Sequence, residues 1–353
     1  MRITNSMLNN LNNMHVTVLL PTYNCAAFIG LSIKSILNQT YKDFELLIID
    51  DGSTDNTEEV VSRYKDSRIV YKMIDHQGLG AALNYGLKNS TGDWIARIDA
   101  DDFAHPCRLY HQVNFINMNA NYGVISSWYA VHNGKKILYI IKSKRESYEI
   151  KNRFMLHNDI IHAGSFYNKR LILDAGAYKK HVFEDFELWL RLRNKTEFYN
   201  IPKVLTFVQY RKNSLSRDNI KEKNSIIYSA LTKEYPIKVI RHVESLEKDE
   251  SNSIAGWREF FWGDKLISRI LWRKTLIKKP FNFKLLTAYI LTYLPMNIFF
   301  AYKEARIRFR IEYILYFFTV EFNEARKKFN ELLNKENISN NYFMNKCLNE
   351  KHN

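Results

Sequence analysis

The feature that most constrains this chain is an alternation that repeats through its first hundred residues. A short apolar run closes on polar or acidic residues, an amphipathic segment follows, and the next apolar run begins. Val16–Leu20 stops at Pro21, and Ala26–Asn38 then carries Phe28, Leu31, Ile33, Ile36 and Leu37 at helical spacing. Phe44–Ile49 is a second apolar run, after which Ser53–Asp55 supply capping residues ahead of a helix over Glu58–Tyr64. Ile69–Met73, Gly80–Lys88 and Trp94–Ile98 continue as strand, helix and strand. Strands separated by single helices predict βαβ units. The fold class is therefore α/β, with a Rossmann-like, mostly parallel sheet and helices on both faces.

The pattern loosens after Asp102. Arg108–Met118, Arg145–Met155, Lys169–Asp174 and Asp185–Arg193 read as helices, and Val124–Val131 and Val204–Tyr210 as extended. From about residue 220 the strand signals fade, and helical segments rich in Lys, Arg and aromatics take over. The chain thus divides into a polar extension (1–14), an α/β domain (15–219, with halves of about 15–105 and 106–219) and a helical, basic C-terminal region (220–353). No internal repeat is visible.

Charge narrows the partners. The 353 residues hold 52 Lys/Arg against 37 Asp/Glu, a net charge of +15, which nucleic acid, an anionic membrane or a phosphate-bearing substrate would each explain. The excess is local: Trp257–Arg310 holds twelve Lys/Arg and three acids. Inside that zone Leu285–Tyr302 is uncharged, but it contains Pro295 and Asn297 and is shorter than the roughly 20 apolar residues of a spanning helix. It reads as interfacial or buried. The Asn-rich first fifteen residues hold no apolar run of signal-peptide length, so a cytoplasmic location is expected. Cys25, Cys107 and Cys347 are far apart with no C-x-x-C pair, which excludes a cysteine zinc site and a disulfide framework and fits a reducing compartment.

In open α/β sheets ligands bind beyond the carboxyl ends of the strands. Three segments fall there: Pro21-Thr22-Tyr23-Asn24, Asp50-Asp51-Gly52-Ser53-Thr54-Asp55 and Asp99-Ala100-Asp101-Asp102. Three carboxylates in four residues repel one another unless a cation neutralises them. Asp99 and Asp101, two apart in extended chain, can face one ion together, and oxygen ligands without Cys or His suit Mg²⁺ or Mn²⁺. Alone, the cluster is equally an acidic solvated turn. Asp50 and Asp51 end an apolar strand and can accept the N–H of a base or a ribose hydroxyl, in a segment that otherwise reads as a helix N-terminus capped by Ser53 or Asp55. Tyr23 offers a flat face for a base, or is a rim tyrosine.

In combination these segments resemble the family 2 glycosyltransferases, which have the GT-A fold. The residues that carry the likeness are Val18 through Asn24, Ser35 through Tyr41, Phe44 through Asp55, Gly78 through Gly86, and Asp99 through Asp102 with Pro106, Arg108 and Leu109, over about 200 of the 353 residues. The resemblance implies a nucleotide-sugar donor, a UDP-sugar by preference. The backbone of Pro21 and the ring of Tyr23 would line the base, Asp51 would read it, Asp99 would sit at the ribose and donor edge, and Asp101 would bind the divalent metal, Mn²⁺ or Mg²⁺. Asp102 is a secondary neighbour, or a helix-capping acid. Phe183-Glu184-Asp185-Phe186-Glu187-Leu188-Trp189-Leu190-Arg191 looks like the family's Glu-Asp-x-x-Leu-Trp-x-x-Arg motif, which makes Asp185 the general base and Glu184 its neighbour. Without the upstream segments it would read as the acidic start of an amphipathic helix. His162, in His162-Ala163-Gly164-Ser165-Phe166, resembles an acceptor-side segment or is structural. His157 reads as structural, and Trp189 as packing rather than sugar stacking.

One departure stands out. Relatives often continue as Tyr-Arg-x-His-x-x-Ser, whereas this chain has Tyr210-Arg211-Lys212-Asn213-Ser214-Leu215-Ser216, without the histidine. Arg211 or Lys212 is placed to serve the diphosphate instead, where negative charge accumulates on departure.

The implied reaction is a single inverting displacement onto an acceptor hydroxyl. The acceptor class is a glycan or lipid-linked glycan of cell-surface polysaccharide synthesis. The basic C-terminal zone, with Tyr289, Tyr293, Phe299, Phe300 and Tyr302, would then meet the inner face of the cytoplasmic membrane, unless it is a helical subdomain with a solvated basic face or a dimer contact. A polyprenyl-phosphate sugar synthase is the nearest alternative, since an ionised phosphate acceptor needs no base at Asp185. A sugar-phosphate nucleotidyltransferase would need a Gly-rich turn with Arg and Lys after the first strand, which Pro21-Thr22-Tyr23-Asn24 lacks. A nucleic-acid binder would show basic and aromatic residues on the sheet, where this chain has acids, so no nucleic acid is expected as partner.

Overall fold

The computed structural model describes residues 14–154, 158–179 and 183–211, and in the C-terminal region 226, 229–230, 256–257, 259–260, 265–278, 280–293, 325–327 and 329–331. His157, Lys212, Phe299, Phe300, Tyr302 and the boundary expected at 219–220 lie outside the described residues.

The first half is built as the alternation predicts. In chain order it contains β1 (Val16–Thr22), α1 (Ile29–Leu37), β2 (Phe44–Asp50), α2 (Thr57–Ser62), β3 (Ile69–Met73), α3 (Leu79–Asn89) and β4 (Trp94–Arg97). All four strands are parallel, in the order β3-β2-β1-β4, with Val16 beside both Phe44 and Trp94. Every residue of β1 and β2 is buried, because helices cover both faces, and this is why the runs read as continuously apolar. Side chains alternate between two cores. Leu19, Leu47, Ile49 and Ile95 meet Ala82, Leu83 and Leu87 of α3 on one side. Val18, Leu20, Leu46, Ile48 and Ala96 meet Ile29, Ile33 and Ile36 of α1 on the other. Gly86 lets α3 approach β1 closely: a Cβ there would collide with Leu19 Cδ1.

The second half mixes strand directions. It runs β5 (Phe103–Ala104), α4 (Arg108–Met118), β6 (Tyr122–His132), β7 (Ile137–Ile141), α5 (Ser147–Arg153), a 3₁₀ turn at His162–Gly164, β8 (Phe166–Asn168), α6 (Lys169–Asp174), α7 (Glu184–Leu192) and β9 (Glu197–Gln209). The sheet continues β4-β8-β6-β9-β5, with β7 on β6. β8 is antiparallel to β4 and β6, β6 and β9 are parallel, and β5 is antiparallel to β9. The sequence pattern did not show β5, β7 or β8.

A local expectation changes. The N-cap of α2 is Asn56, without a side-chain cap bond; Asp55 Oδ1 accepts the Thr57 N–H at 3.0 Å from the position before it, and Ser53 Oγ accepts the Asn24 N–H at 2.8 Å and ties two loops. Cys25 is a free thiol.

In the C-terminal region, α8 (Lys265–Lys278) and α9 (Phe283–Leu291) pack around Trp272 with Phe260, Leu285 and Ala288. Ala325 and Phe329 pack against the α/β domain at Phe103 and Phe207. No helix among the described residues is long and apolar enough to cross a membrane.

Candidate active site

The three strand-end segments converge on one edge of the sheet. The ends of β1 and β2 are in register, Thr22 beside Asp50, and the Asp51 N–H donates to the Thr22 carbonyl at 2.9 Å. Pro21 is buried within β1. Asn24, with φ of +49°, accepts the Thr54 N–H on its side-chain oxygen at 2.8 Å and so joins the first two loops.

Of the acid pair, Asp50 is structural. Fully buried, it accepts the Ser53 N–H at 2.8 Å and the Tyr71 hydroxyl at 2.7 Å. Asp51 turns to the segment before α3, where its oxygens accept the N–H groups of Gln77 (2.9 Å) and Gly78 (2.8 Å). His76 Nδ1 lies 2.9 Å from Asp51 Oδ2, and the His76 ring stacks on Tyr23 with centroids 4.1 Å apart. Tyr23 is 43% exposed. Tyr23, His76 and Asp51 thus form one aromatic and acidic wall. Asp51 Oδ1, with one N–H on it, has a second lone pair for a further N–H.

The second group lies beyond β4. One oxygen each from Asp99, Asp101 and Asp102 falls within 4.8 Å of the others. Two arginines balance them. Buried Arg97 forms a bidentate pair with Asp99, one arm at 2.6 Å. Arg211 Nε lies 2.8 Å from Asp101 Oδ2, with its guanidinium 4.3 Å over the Phe28 ring. Burial and the Asp99 charge still push Asp101 up to about 6. Asp102 accepts the Gln209 N–H at 2.8 Å on one oxygen, while its other oxygen is buried without a partner. Burial and its two acidic neighbours hold Asp102 well above the usual carboxylate range. Arg108, also buried, donates to the Arg97 carbonyl at 2.6 Å and the Ser165 carbonyl at 3.2 Å, so it braces the end of β4 against the 3₁₀ turn.

The third group opens α7. Phe183, with φ of +65°, turns the chain into the helix and sets Glu184 and Asp185 at its first turn. His162 Nδ1 lies 3.6 Å from Glu184 Oε1, and its Nε2 is 3.0 Å from the Tyr178 hydroxyl, which donates to Tyr167 at 3.0 Å. Asn158 donates to Asp185 Oδ2 at 3.2 Å. Burial and the Asp185 charge push Glu184 up to about 7, and burial also raises Asp185. Burial holds His162 well below its usual range, so it is neutral. The second and third groups are neighbours: the Arg97 N–H donates to the Ser165 carbonyl at 2.9 Å, so the end of β4 lies against the turn whose His162 faces Glu184. Trp189 is fully buried against Tyr167 and His162, as the packing reading expected. Arg191 binds Glu187 and the Ala175 and Ala177 carbonyls, a structural role for the motif's arginine.

All ten residues expected at the site from the sequence therefore lie on strand-end loops, at the end of β1, in the 3₁₀ turn or at the start of α7. Sequence reasoning missed Arg97, His76, Asn24 and Asn158. For Arg97 a signal existed: an arginine closing an apolar strand, two residues before an aspartate.

Similarity to known proteins gives the family and the fold. The family model for glycosyl transferase family 2 matches residues 17–175. A glucosyltransferase of Escherichia coli, WfaP, is 30% identical over 214 residues, which cover 59% of this chain and 82% of that one. The chain belongs to glycosyltransferase family 2. An uncharacterized glycosyltransferase of Rickettsia typhi is also 30% identical, over 202 residues; the match covers 54% of this chain and 62% of that relative's length. Staphylococcus aureus TarS 1–349, solved in complex with UDP-GlcNAc, superposes with a TM-score of 0.56 at 16% identity, covering 79% of each chain. The fold is GT-A. The family match spans Tyr23, Asp51, Asp99, Asp101, Asp102 and His162 and ends before Glu184, Asp185 and Arg211.

Proposed function

We propose that this glycosyltransferase moves a sugar from a UDP-sugar to a hydroxyl of a lipid-linked glycan by a single inverting displacement, in surface-polysaccharide synthesis at the inner face of the cytoplasmic membrane. The observation that carries the reading is the approach of two acidic groups: the strand that leads into Asp99, Asp101 and Asp102 donates from Arg97 N–H to the Ser165 carbonyl at 2.9 Å, in the turn whose His162 groups with Glu184 and Asp185. Donor and base sites then share one crevice. The E. coli relative is described as a UDP-Glc:alpha-D-GlcNAc-diphosphoundecaprenol beta-1,3-glucosyltransferase, which supports the donor nucleotide and the acceptor class.

Tyr23 and His76 give the base a face, and Asp51 accepts from its N–H. Asp185 takes the proton of the attacking hydroxyl, a poor nucleophile until that proton leaves. Asn158 holds one oxygen of Asp185 and leaves the other to work. Glu184, raised to about 7, holds a proton near neutrality, so the buried pair carries one negative charge rather than two. Neutral His162, between Glu184 and Tyr178, orients that carboxyl.

The acidic group after β4 fits a hard divalent ion: three carboxylates converge, and one oxygen of Asp102 is buried without a partner. Asp101 would hold Mn²⁺ or Mg²⁺, with Asp99 and Asp102 beside it. Bound there, the ion would neutralise charge on the departing diphosphate. Arg211, already against Asp101, adds a fixed positive charge on the same side.

The test is thermal shift with UDP, with Mn²⁺ and with both, together with UDP release from UDP-glucose. A UDP shift that needs Mn²⁺ and vanishes in Asp101→Asn supports the donor site. Asp185→Asn should keep that shift and lose turnover. Retained turnover in Asp185→Asn would point to a phosphate acceptor instead.

A further inference from the structure

The helices α8 and α9 carry large apolar residues on their outer face as well as in the core between them. Their inward residues include small polar side chains: Ser268, Thr275 and Thr292 are buried beside Trp272, Leu285 and Ala288. Their outward residues include large apolar side chains beside a few polar and basic ones. On α8, Leu266, Ile270 and Ile277 are exposed at i, i+4 and i+11, with exposed Arg273 on the same stripe. On α9 and just beyond it, Leu286, Ile290 and Tyr293 are exposed at i, i+4 and i+7. Phe281, in the turn between the helices, is 84% exposed, and Ile277 is 74% exposed. A helix in water carries polar residues on such a face. The two stripes adjoin, because the Arg269 guanidinium lies 4.3 Å over the Tyr293 ring and donates to the Thr292 carbonyl at 3.4 Å.

Charge decides what covers this face. Residues 265–293 contain seven Lys/Arg and no Asp or Glu. A second copy docked face to face would bring two such sets together in low dielectric, which repulsion opposes. An anionic bilayer surface complements both parts: the apolar stripes enter the headgroup boundary, the cations meet lipid phosphates, and Tyr293 sits at the interface. At 14 and 9 residues these helices are too short to span about 30 Å of hydrocarbon, so they lie on the surface.

We propose that the α8–α9 hairpin is a monotopic docking element for anionic lipid, with Leu266, Ile270, Ile277, Phe281, Ile290 and Tyr293 as its inserted face. It rests on the reading that the acceptor is lipid-linked, and it moves the membrane contact from the uncharged stretch at 285–302 to the exposed face of the hairpin.

The experiment is co-sedimentation of the full chain with phosphatidylcholine vesicles, with and without phosphatidylglycerol, over a salt series. Binding should require phosphatidylglycerol and weaken as salt rises. The triple variant I270S/I277S/F281S and the charge reversal R273E/K278E should each lower vesicle binding by about tenfold or more. Both should keep the wild-type circular dichroism spectrum and Mn²⁺-dependent UDP shift, so failure here is separable from failure of the donor site. Wild-type protein that ignores phosphatidylglycerol vesicles at low salt, or variants that bind them as wild type does, would overturn the proposal. So would a wild-type dimer in gel filtration that I270S/I277S/F281S converts to monomer while vesicles are ignored; that outcome assigns the face to a second copy.

Discussion

The two acidic groups in the crevice are made of the same side chains and wired in opposite ways. After β4, Asp99 and Asp101 each touch an arginine, Arg97 and Arg211. At the start of α7, Glu184 and Asp185 touch neutral partners, His162 and Asn158, and feel Arg97 only at a distance. At Asp101 the direct cation offsets burial only in part, for that carboxyl still stands at about 6, and Asp102 is held well above the usual carboxylate range. The donor side thus holds acid in excess of its arginines, whereas the acceptor side has no direct cation and is suited to move a proton.

The sharpest way to break that contrast is at Asp185. Asp185→Asn keeps size and the Asn158 contact but cannot take a proton. Turnover should fall by about 10²–10⁴-fold, with the UDP thermal shift unchanged. If the loss instead tracked nucleotide affinity, the proton-moving role would belong elsewhere. Next in size is Arg211→Ala. It strips the direct cation from Asp101 and should weaken UDP binding by about tenfold while sparing the Mn²⁺ response, which separates the arginine's share from the ion's.

Much of this contrast was legible in the sequence, and the reason is geometric. Strands buried on both faces must be apolar throughout, so β1 to β4 announced themselves. The residues that interrupt those runs, Tyr23, Asp51 and Asp99 to Asp102, had to lie at the carboxyl edge. Asp185 was legible because its motif is local to one helix turn. The rest depended on contacts between distant segments. β8 is three residues long, too short for period-two alternation to register, and β5 is two. His76 sits in a polar loop, and only its stacking on Tyr23 singles it out. Arg97 closes a strand that reads as core, and the aspartate two residues on was its one signal in the sequence.

A pH series sharpens the comparison on the acceptor side. Glu184 is raised from an ordinary 4.5 to about 7. Below pH 4.5 it is protonated whether the chain is folded or not. Between 4.5 and 7 the unfolded chain releases the proton and the folded chain keeps it, so this group's contribution to stability declines as pH rises. Glu184→Gln has no proton to lose. Its melting temperature relative to wild type should therefore climb across that window by a few degrees and level off above it. Parallel melting curves for the two proteins from pH 4.5 to 7 would show that Glu184 is not held neutral.

The smallest expected effect lies at the rear of the donor side. β5 directly follows Asp102, and Phe103 pairs in register with Phe207 of β9, two residues before the Gln209 N–H that holds Asp102 and four before Arg211. Fully buried Phe329 closes this pair from behind, 5.6 Å from the Phe103 ring, 6.1 Å from Phe207 and 5.0 Å from His132. The C-terminal region thus helps fix the strands that present Asp102 and Arg211. Phe329→Leu should cost about 1 kcal/mol and weaken the Mn²⁺-dependent UDP shift a few-fold. Ile172→Val, buried in α6 away from the crevice, should cost about as much and leave the UDP shift alone. If the two variants lose UDP affinity equally, Phe329 is core and nothing more, and the donor side owes its geometry to the sheet without help from behind.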